Sequence, residues 1–348
     1  MSAVSFKCPN CGGDLRFDPE SQKYKCEFCM STFDQAELDA ANPHAAQQEE
    51  PKAEETDENG AVIYSCPSCG AQIVTDATTA ATFCYYCHNP VVLQGKLSGE
   101  YEPDLVIPFA VDKKEAVDSF LKYCHKKKFV PRDFFCKEQI EKISGVYFPF
   151  WMYNCEADGQ WHGQGDKVRI YDRGDVEYTE TKIFAIDREA DFRFEKMTRN
   201  ALNKENQELV EAVQPFRLEE AKEFNMGYLS GFQAEKRDME KQDVHSEFKT
   251  QVHKHAESMM RGSAEGYHVV RPGRSEVHIK SEQWKYLMLP VWVLTYKGDD
   301  GKTYYYAMNG QTKKIKGVFP LAMKRVIGLF AGIFVPVFLL MLAGGYFL

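Results

Sequence analysis

Eight of the eleven cysteines in this chain form four Cys-x-x-Cys pairs, and the pairs fall into two groups. The first group reads CPNCGGDLRFDPESQKYKCEFC over residues 8–29, and the second reads CPSCGAQIVTDATTAATFCYYC over residues 66–87. Each Cys-x-x-Cys turn presents two sulfur atoms from one tight loop, and two such turns complete a tetrahedral thiolate site for Zn²⁺. The spacing therefore predicts two metal sites, with the ligands Cys8, Cys11, Cys26 and Cys29 in one and Cys66, Cys69, Cys84 and Cys87 in the other.

The two groups have the same internal spacing, which indicates a duplicated element. Pro9 and Pro67 follow the first cysteine of each group and preset a turn, while Gly12 and Gly70 permit the positive φ needed after it. The stretch between the pairs is short and partly β-prone, which suits a small hairpin. On these motifs the chain resembles the zinc-ribbon superfamily, and we predict two small Cys₄ zinc ribbons at residues 5–33 and 61–95.

A pair of redox-active dithiols is the alternative, but that motif belongs in a βαβ unit, which neither stretch predicts. A closed Cys₄ shell leaves no open coordination position, so we expect two structural Zn²⁺ ions per chain rather than catalytic ones. Such small folds bury too little apolar surface to be stable alone, and the metal supplies the missing stability.

Charge argues against nucleic acid as a partner of the ribbons. The net charge of the chain is −8. In residues 5–33 the basic and acidic side chains cancel, and residues 62–95 contain no Lys or Arg. Contacts to phosphate depend on Lys and Arg, so these ribbons are poorly suited to DNA or RNA.

Residues 34–60 contain nine acids and one Lys, which predicts a flexible acidic linker. We therefore expect the two ribbons to move independently of one another.

The segment 326–348 has 23 residues and no charge, enough for a helix to cross a bilayer core of about 30 Å. A core helix of a soluble protein is the alternative, but such helices are usually shorter and carry polar positions. Several basic side chains precede the segment, which by the positive-inside tendency puts residues 1–325 in the cytoplasm: Lys313, Lys314, Lys316, Lys324 and Arg325. The expectation is a single-pass tail anchor in the cell membrane, with the lipid bilayer as a partner.

Between the ribbons and this segment, helical and strand patterns alternate, which predicts a mixed α+β cytoplasmic region. The stretch YFPFWMY at 147–153 recurs as MLPVWVL at 288–294, and IPFAVDKKEA at 107–116 recurs as QPFRLEEA at 214–221. These echoes predict two repeated α+β units, at 101–205 and 210–320.

The second unit contains an insertion, 233–261, that is predicted to form an amphipathic helix. Its apolar residues recur at helical spacing: Val244, Phe248, Val252, Ala256 and Met259. This stripe either faces a core or binds a partner or a membrane surface.

No constellation of residues predicts an active site. Lys302 lies in a Gly-Lys-Thr stretch, but the phosphate-binding loop also requires Gly at position 296, which is Tyr296. The remaining cysteines, Cys124, Cys136 and Cys155, lie on apolar segments and are expected to be buried, inert thiols. We predict that the chain is not an enzyme.

Taken together, the two Cys₄ ribbons, the acidic linker, the two Trp-containing strands and the apolar end resemble one bacterial family. This family comprises tail-anchored double-zinc-ribbon proteins of membrane-stress operons in Gram-positive bacteria. The resemblance implies flotillin-like (SPFH-domain) and phage-shock-protein-A-like partners, which such anchors hold at the membrane.

Two functions remain open from the sequence. The first is a non-enzymatic adaptor that gathers cytoplasmic proteins at the membrane, with oligomerisation possible. The second is a membrane-tethered transcription or replication accessory protein that uses its ribbons on nucleic acid or polymerase.

Overall fold

The computed structural model of the protein describes residues 3–42, 62–84, 87–93, 96–97, 99–127, 129–131, 142–203, 207–297, 302–318 and 320–346. It shows two Cys₄ clusters near the N-terminus, a mixed α/β body and one apolar C-terminal helix, in agreement with the predicted fold class. The chain divides into two compact units. The first comprises Met1–Pro149, Leu202–Lys236 and Met288–Leu348, and the second comprises Phe150–Ala201 and Arg237–Leu287.

The strands, in chain order, are β1 Ala3–Val4, β2 Leu15–Asp18, β3 Lys23–Cys26, β4 Thr32–Phe33, β5 Val62–Ser65, β6 Gln72–Thr75, β7 Thr79–Phe83, β8 Pro90–Leu93, β9 Leu105–Val106, β10 Ser144–Arg173, β11 Val176–Asn200, β12 Lys222–Glu223, β13 Gln233–Glu235, β14 Val269–Lys297, β15 Thr303–Asn309 and β16 Ile315–Gly317. The α-helices are α1 Gln35–Ala41, α2 Lys113–His125, α3 Gln207–Ala212, α4 Lys241–Gly262 and α5 Met323–Tyr346.

The first ribbon is a three-stranded antiparallel sheet, β2-β3-β4, followed by helix α1. The helix begins with a capping box. The Asp34 side chain accepts from the Glu37 backbone N–H, and the Glu37 side chain accepts from the Asp34 backbone N–H. Leu38 is fully buried, so the helix packs onto the ribbon. The prediction of a flexible linker from residue 34 is therefore wrong up to Asn42, because local capping and one buried leucine stabilise a short helix there. The remainder of the predicted linker, 43–60, lies outside the described residues.

The second ribbon contains two antiparallel hairpins, β5-β6 and β7-β8. Strands β7 and β8 also belong to the large sheet of the first compact unit, whose order is β1-β8-β7-β13-β10-β14-β15-β16. Strand β11 pairs with β10, and the short strands β9 and β12 pair with each other. The second ribbon is thus continuous with the body.

The two ribbons contact each other and the body, so the expectation that they move independently is wrong. Strand β1, which leads into the first ribbon, pairs with β8 of the second. Lys7 Nζ donates to Ser68 Oγ at 3.3 Å, joining one ribbon to the other. Phe17 and Tyr24 of the first ribbon pack against Tyr228, with ring centroids 5.2 Å and 6.4 Å apart. Because these rings are buried, separating the first ribbon from the body would expose apolar surface.

The two Trp-containing stretches are neighbours in one sheet. YFPFWMY lies in β10 and MLPVWVL lies in β14, and these strands are adjacent in the sheet order. In the first unit, Phe109 stacks on Phe232 at 4.2 Å between ring centroids and meets Trp292 edge-on at 5.1 Å. Trp292 Nε1 donates to the Val111 carbonyl at 3.1 Å, which satisfies the buried indole.

The predicted division into units 101–205 and 210–320 is wrong, because each predicted unit contributes to both compact units. Strands β10 and β14 each contain residues of both compact units. The repeat of IPFAVDKKEA as QPFRLEEA is also reproduced only in part by the structure. Helix α2 follows IPFAV and is capped by Asp112, whereas Leu218–Glu220 after QPF is a single 3₁₀ turn.

The second compact unit contains the β10-β11 hairpin and helix α4. The hairpin turns between Arg173 and Val176, and Gly174 adopts φ +68° there. Helix α4 buries its apolar stripe, so the core-facing alternative is confirmed: Val244, Phe248, Val252, Ala256 and Met260.

The predicted helix bounds 233–261 need correction. Residues Gln233–Glu235 form β13, and the helix begins only at Lys241, where the Asp243 carboxylate accepts from the Glu240 backbone N–H at 2.7 Å. Met260 takes the buried position predicted for Met259, which is 59% exposed.

Helix α5 includes residues 326–346 of the predicted span and begins three residues before it, while residues 347–348 lie outside the described residues. Within it, Arg325–Leu342 is long and apolar enough to cross a membrane, and none of this window is buried in the protein. Pro336 lies inside the helix. An exposed helix of this composition would be unstable in water, so an apolar surrounding such as lipid suits it.

Met260→Ala should lower the free energy of unfolding by about 2–5 kcal/mol, because it leaves a cavity in the cluster with Trp161 and Phe192. Met259→Ala is the matched control and should change it by less than about 0.5 kcal/mol, since that side chain is exposed. Denaturant unfolding of the full chain in detergent, followed by Trp fluorescence, measures both. Equal losses for the two variants would contradict the assigned face of α4.

Candidate metal centres

Four backbone turns of one design carry the eight predicted ligands. In each turn the N–H of the first cysteine donates to the carbonyl five residues later, with N···O distances of 2.7–3.0 Å: Cys8 to Gly13, Cys26 to Ser31, Cys66 to Ala71 and Cys84 to Asn89. The carbonyl of that cysteine accepts from the N–H four residues later: Gly12, Met30, Gly70 and His88. The repeated sequence thus forms the same two hydrogen bonds in every turn, and these bonds fix the position of each cysteine pair.

The residue after the second cysteine of every turn has a left-handed backbone. Gly12 and Gly70 have φ of +74° and +73°, as the sequence predicts. Met30 and His88 occupy the equivalent positions of the other two turns at +61° and +58°. Sequence reasoning missed these two, although their position relative to the cysteine pair was the available signal. Left-handed backbone costs a residue with a Cβ about 1–2 kcal/mol, so another interaction must offset that cost.

The sulfur atoms of each group converge. The Cys8–Cys29 and Cys11–Cys26 pairs of Sγ atoms are both 3.5 Å apart, and the Cys66–Cys87 and Cys69–Cys84 pairs are both 3.7 Å apart. All four ligand atoms of a group lie within 4.8 Å of one another. The structure therefore brings together every ligand that the sequence predicts, in the predicted sets.

These distances fit a metal and not a disulfide. A disulfide joins sulfurs at about 2.05 Å. Four sulfurs bound tetrahedrally at about 2.3 Å lie about 3.8 Å from one another, close to the separations observed here. Both sites can therefore hold a metal ion, and the donor set of four thiols is the one that structural Zn²⁺ takes.

The cysteines of the first cluster differ in pKa because their surroundings differ. Hydrogen bonds from the side chain and backbone of Ser31 lower the pKa of Cys29 to about 6. At Cys11, the Gly13 backbone lowers the pKa, but the neighbouring Cys26 and Cys29 sulfurs outweigh it and raise the pKa to about 12.

In the second cluster, burial and the other three sulfurs raise the pKa of Cys87 to about 12. Close thiols resist losing all their protons, because their negative charges repel one another. A bound cation removes that repulsion.

Burial differs in a regular way between the two cysteines of a pair. The first cysteine of each pair is buried, while Cys11, Cys29 and Cys69 are exposed and Cys87 is half-buried. Each cluster therefore has one face within the protein and one toward solvent. Of the other thiols, Cys124 and Cys155 are buried as predicted, and burial raises the pKa of both. Cys136 lies outside the described residues.

Two Cys₄ clusters that can hold a metal ion and a helix long and apolar enough to cross a membrane fit the class of membrane-anchored metal-binding proteins. The chain is 33% identical to the uncharacterized protein YdjG of Bacillus subtilis (strain 168) over 349 residues, covering 99% of both chains. It therefore belongs to the same family as YdjG. No protein-family model and no solved structure matches the chain.

Protein made with adequate zinc should carry two zinc ions per chain. Cys69→Ser should reduce this to one, because three thiols no longer close a tetrahedral site. Elemental analysis of the purified full chain in detergent measures the ratio, with Cys124→Ser as a control that removes a thiol outside both clusters. A wild-type ratio of one or none would contradict the two-site interpretation.

Gly70→Ala should destabilise the second ribbon by about 1–2 kcal/mol. No atom lies within 4 Å of the added Cβ, so the cost arises from the left-handed backbone alone. His88→Gly, in the equivalent turn of the same cluster, removes such a cost and should not destabilise it. Thermal unfolding and the rate of zinc release to a chelator measure both variants. Destabilisation by His88→Gly as large as by Gly70→Ala would contradict this account of the turns.

Proposed function

We propose that the protein is a non-enzymatic, membrane-anchored zinc-ribbon adaptor that recruits cytoplasmic proteins to the membrane. The observation that carries this proposal is an exposed apolar surface on the first ribbon. Phe28 is 76% exposed and Met30 is 63% exposed, on either side of the ligand Cys29. We call these two residues the knuckle surface.

The knuckle surface has the properties of a protein-binding site. Aromatic residues and Met are enriched in protein interfaces, and exposed apolar groups on a rigid element mark such sites. The turn hydrogen bonds of Cys26 hold this loop, and a metal bound to Cys26 and Cys29 would hold it further. A partner would therefore meet a preformed surface and lose little entropy in ordering it.

The charges of the first ribbon favour a protein partner over nucleic acid. Lys7 pairs with Asp14 at 2.5 Å, and Arg16 pairs with Glu27 at 3.2 Å. These ion pairs neutralise two of the four cations in residues 5–33, and the remaining acids, Asp18 and Glu20, equal Lys23 and Lys25 in number. A membrane-tethered transcription or replication accessory protein remains the second candidate, and salt-dependent DNA binding by the full chain in detergent would favour it.

Helix α5 supplies the membrane anchor in this proposal, and the body of the chain lies in the cytoplasm. The family resemblance suggests flotillin-like and phage-shock-protein-A-like partners and a role in membrane or envelope stress. Two bound Zn²⁺ ions serve only to hold the ribbons in shape.

In cells, a tagged phage-shock-protein-A-like partner should lie at the membrane with the full chain and disperse when Val326–Leu348 is deleted. Phe28→Ser with Met30→Ser should leave the chain at the membrane but release the partner. Val176→Ser is a matched control, because it changes an exposed apolar side chain of the second compact unit. Fluorescence imaging of partner and chain measures these outcomes. Unchanged partner location in both the deletion and the knuckle variant would contradict the adaptor.

A further inference from the structure

The end of helix α2 lies beside the start of the apolar helix α5. The Ala322 backbone N–H donates to the Phe129 carbonyl at 2.7 Å. Arg325 Nη1 donates to the Val130 carbonyl at 3.1 Å. Both acceptors follow α2 within a few residues, so these bonds fix the last turn of α2 near the first turn of α5.

That end of α2 is basic and open to solvent. Lys122, Lys126 and Lys127 are all exposed, as is Arg325. Within the described part of the chain, none of the three lysines forms an ion pair, and Lys127 lies over the Tyr123 ring at 5.1 Å.

The other end of α2 differs, because there Lys313 is neutralised by Glu115 at 2.5 Å. Asp112, Glu115 and Asp118 accompany Lys113 and Lys114 at that end, whereas residues 119–127 contain no acid, so the net positive charge of α2 lies at the end beside α5.

Exposed apolar side chains occur at the same place. Val318, Leu321 and Met323, which lead into α5, are 57%, 63% and 58% exposed. A surface that combines apolar side chains with Lys and Arg suits the boundary of a bilayer, where acyl chains and charged headgroups lie close together.

We propose that this membrane-proximal surface binds anionic phospholipid headgroups: Lys122, Lys126, Lys127, Arg325, Val318, Leu321 and Met323. The proposal rests on the proposed membrane anchoring, because α5 must enter the bilayer to bring these residues to the headgroups. Each lysine near an anionic surface strengthens binding about fivefold, so the three lysines together contribute on the order of a hundredfold. Such binding would fix the orientation of the body relative to the membrane, which attachment through α5 alone would leave free.

The test uses the full chain in nanodiscs of phosphatidylcholine alone or of phosphatidylcholine with phosphatidylglycerol. An amine-reactive reagent labels the lysines, and peptide mass spectrometry gives the labelling rate at each one. Lys122, Lys126 and Lys127 should react about fivefold or more slowly in the anionic discs, and about 1 M salt should abolish the difference, because it shortens the screening length to about 3 Å. Lys114, exposed at the opposite end of α2, is the internal control and should react at the same rate in both discs.

A variant pair provides the second measurement. Lys126→Gln with Lys127→Gln should lose most of the phosphatidylglycerol that co-purifies with the chain in mild detergent, whereas Lys113→Gln with Lys114→Gln should retain it.

Two failures are distinguishable. If the chain does not enter nanodiscs at all, both the membrane anchor and the lipid site are wrong. If it enters but the lysines react equally in both lipids, only the lipid site is wrong. Equal lysine labelling together with protection by an added acidic protein would assign the surface to a protein partner instead.

Discussion

Four ionised thiols cannot lie within 4.8 Å of one another without a cation between them, and this constraint governs the N-terminal part of the molecule. The backbone brings the sulfurs to separations that suit a metal, but their mutual repulsion opposes the ionisation that a metal requires. The raised pKa values of Cys11 and Cys87 are the sign of that opposition. A metal ion bound at either cluster would therefore stabilise the folded ribbon, whose small core buries little apolar surface.

This constraint extends beyond the ribbons. Ser230 Oγ donates to the Leu15 carbonyl at 2.5 Å, and the Ser230 carbonyl accepts from the Phe17 N–H at 2.9 Å, so strand β2 of the first ribbon holds the segment before β13. Strand β13 lies between β7 of the second ribbon and β10 of the body. Through β13, the first ribbon is connected to the middle of the large sheet, so a metal that orders the ribbon would also support that sheet. The ribbons are thus part of the framework that supports the first compact unit.

The ligand sets of the two cysteine clusters could be predicted from the sequence, because cysteine spacing encodes a local turn, although the left-handed backbone at Met30 and His88 was missed. The apolar helix could be predicted for the same reason, since its length and composition suffice. The division of the body could not. The similar sequences around Trp151 and Trp292 indicate similar strands. Whether such strands form separate cores or pair in one sheet depends on long-range contacts.

The sequence also predicts the wrong methionine on α4. Met259 and Met260 are adjacent and equally apolar, and the packing partners of the helix, including Trp161 and Phe192, select Met260 for the core. The linker prediction failed at α1 because acidic composition outweighed the capping box at Asp34 and Glu37, a local signal that the sequence does contain.

The first compact unit is assembled from three separate stretches of chain, and this has a consequence for biosynthesis. Both cysteine clusters leave the ribosome long before β14 and β15 exist to complete their sheet. With about two hundred residues still to be added at roughly 5–20 per second, the thiols wait on the order of ten to forty seconds in a partly assembled chain. During that interval the thiols can bind a metal ion or be oxidised, so the yield of the protein should depend on the metal supply and redox state of the cell while it is being translated.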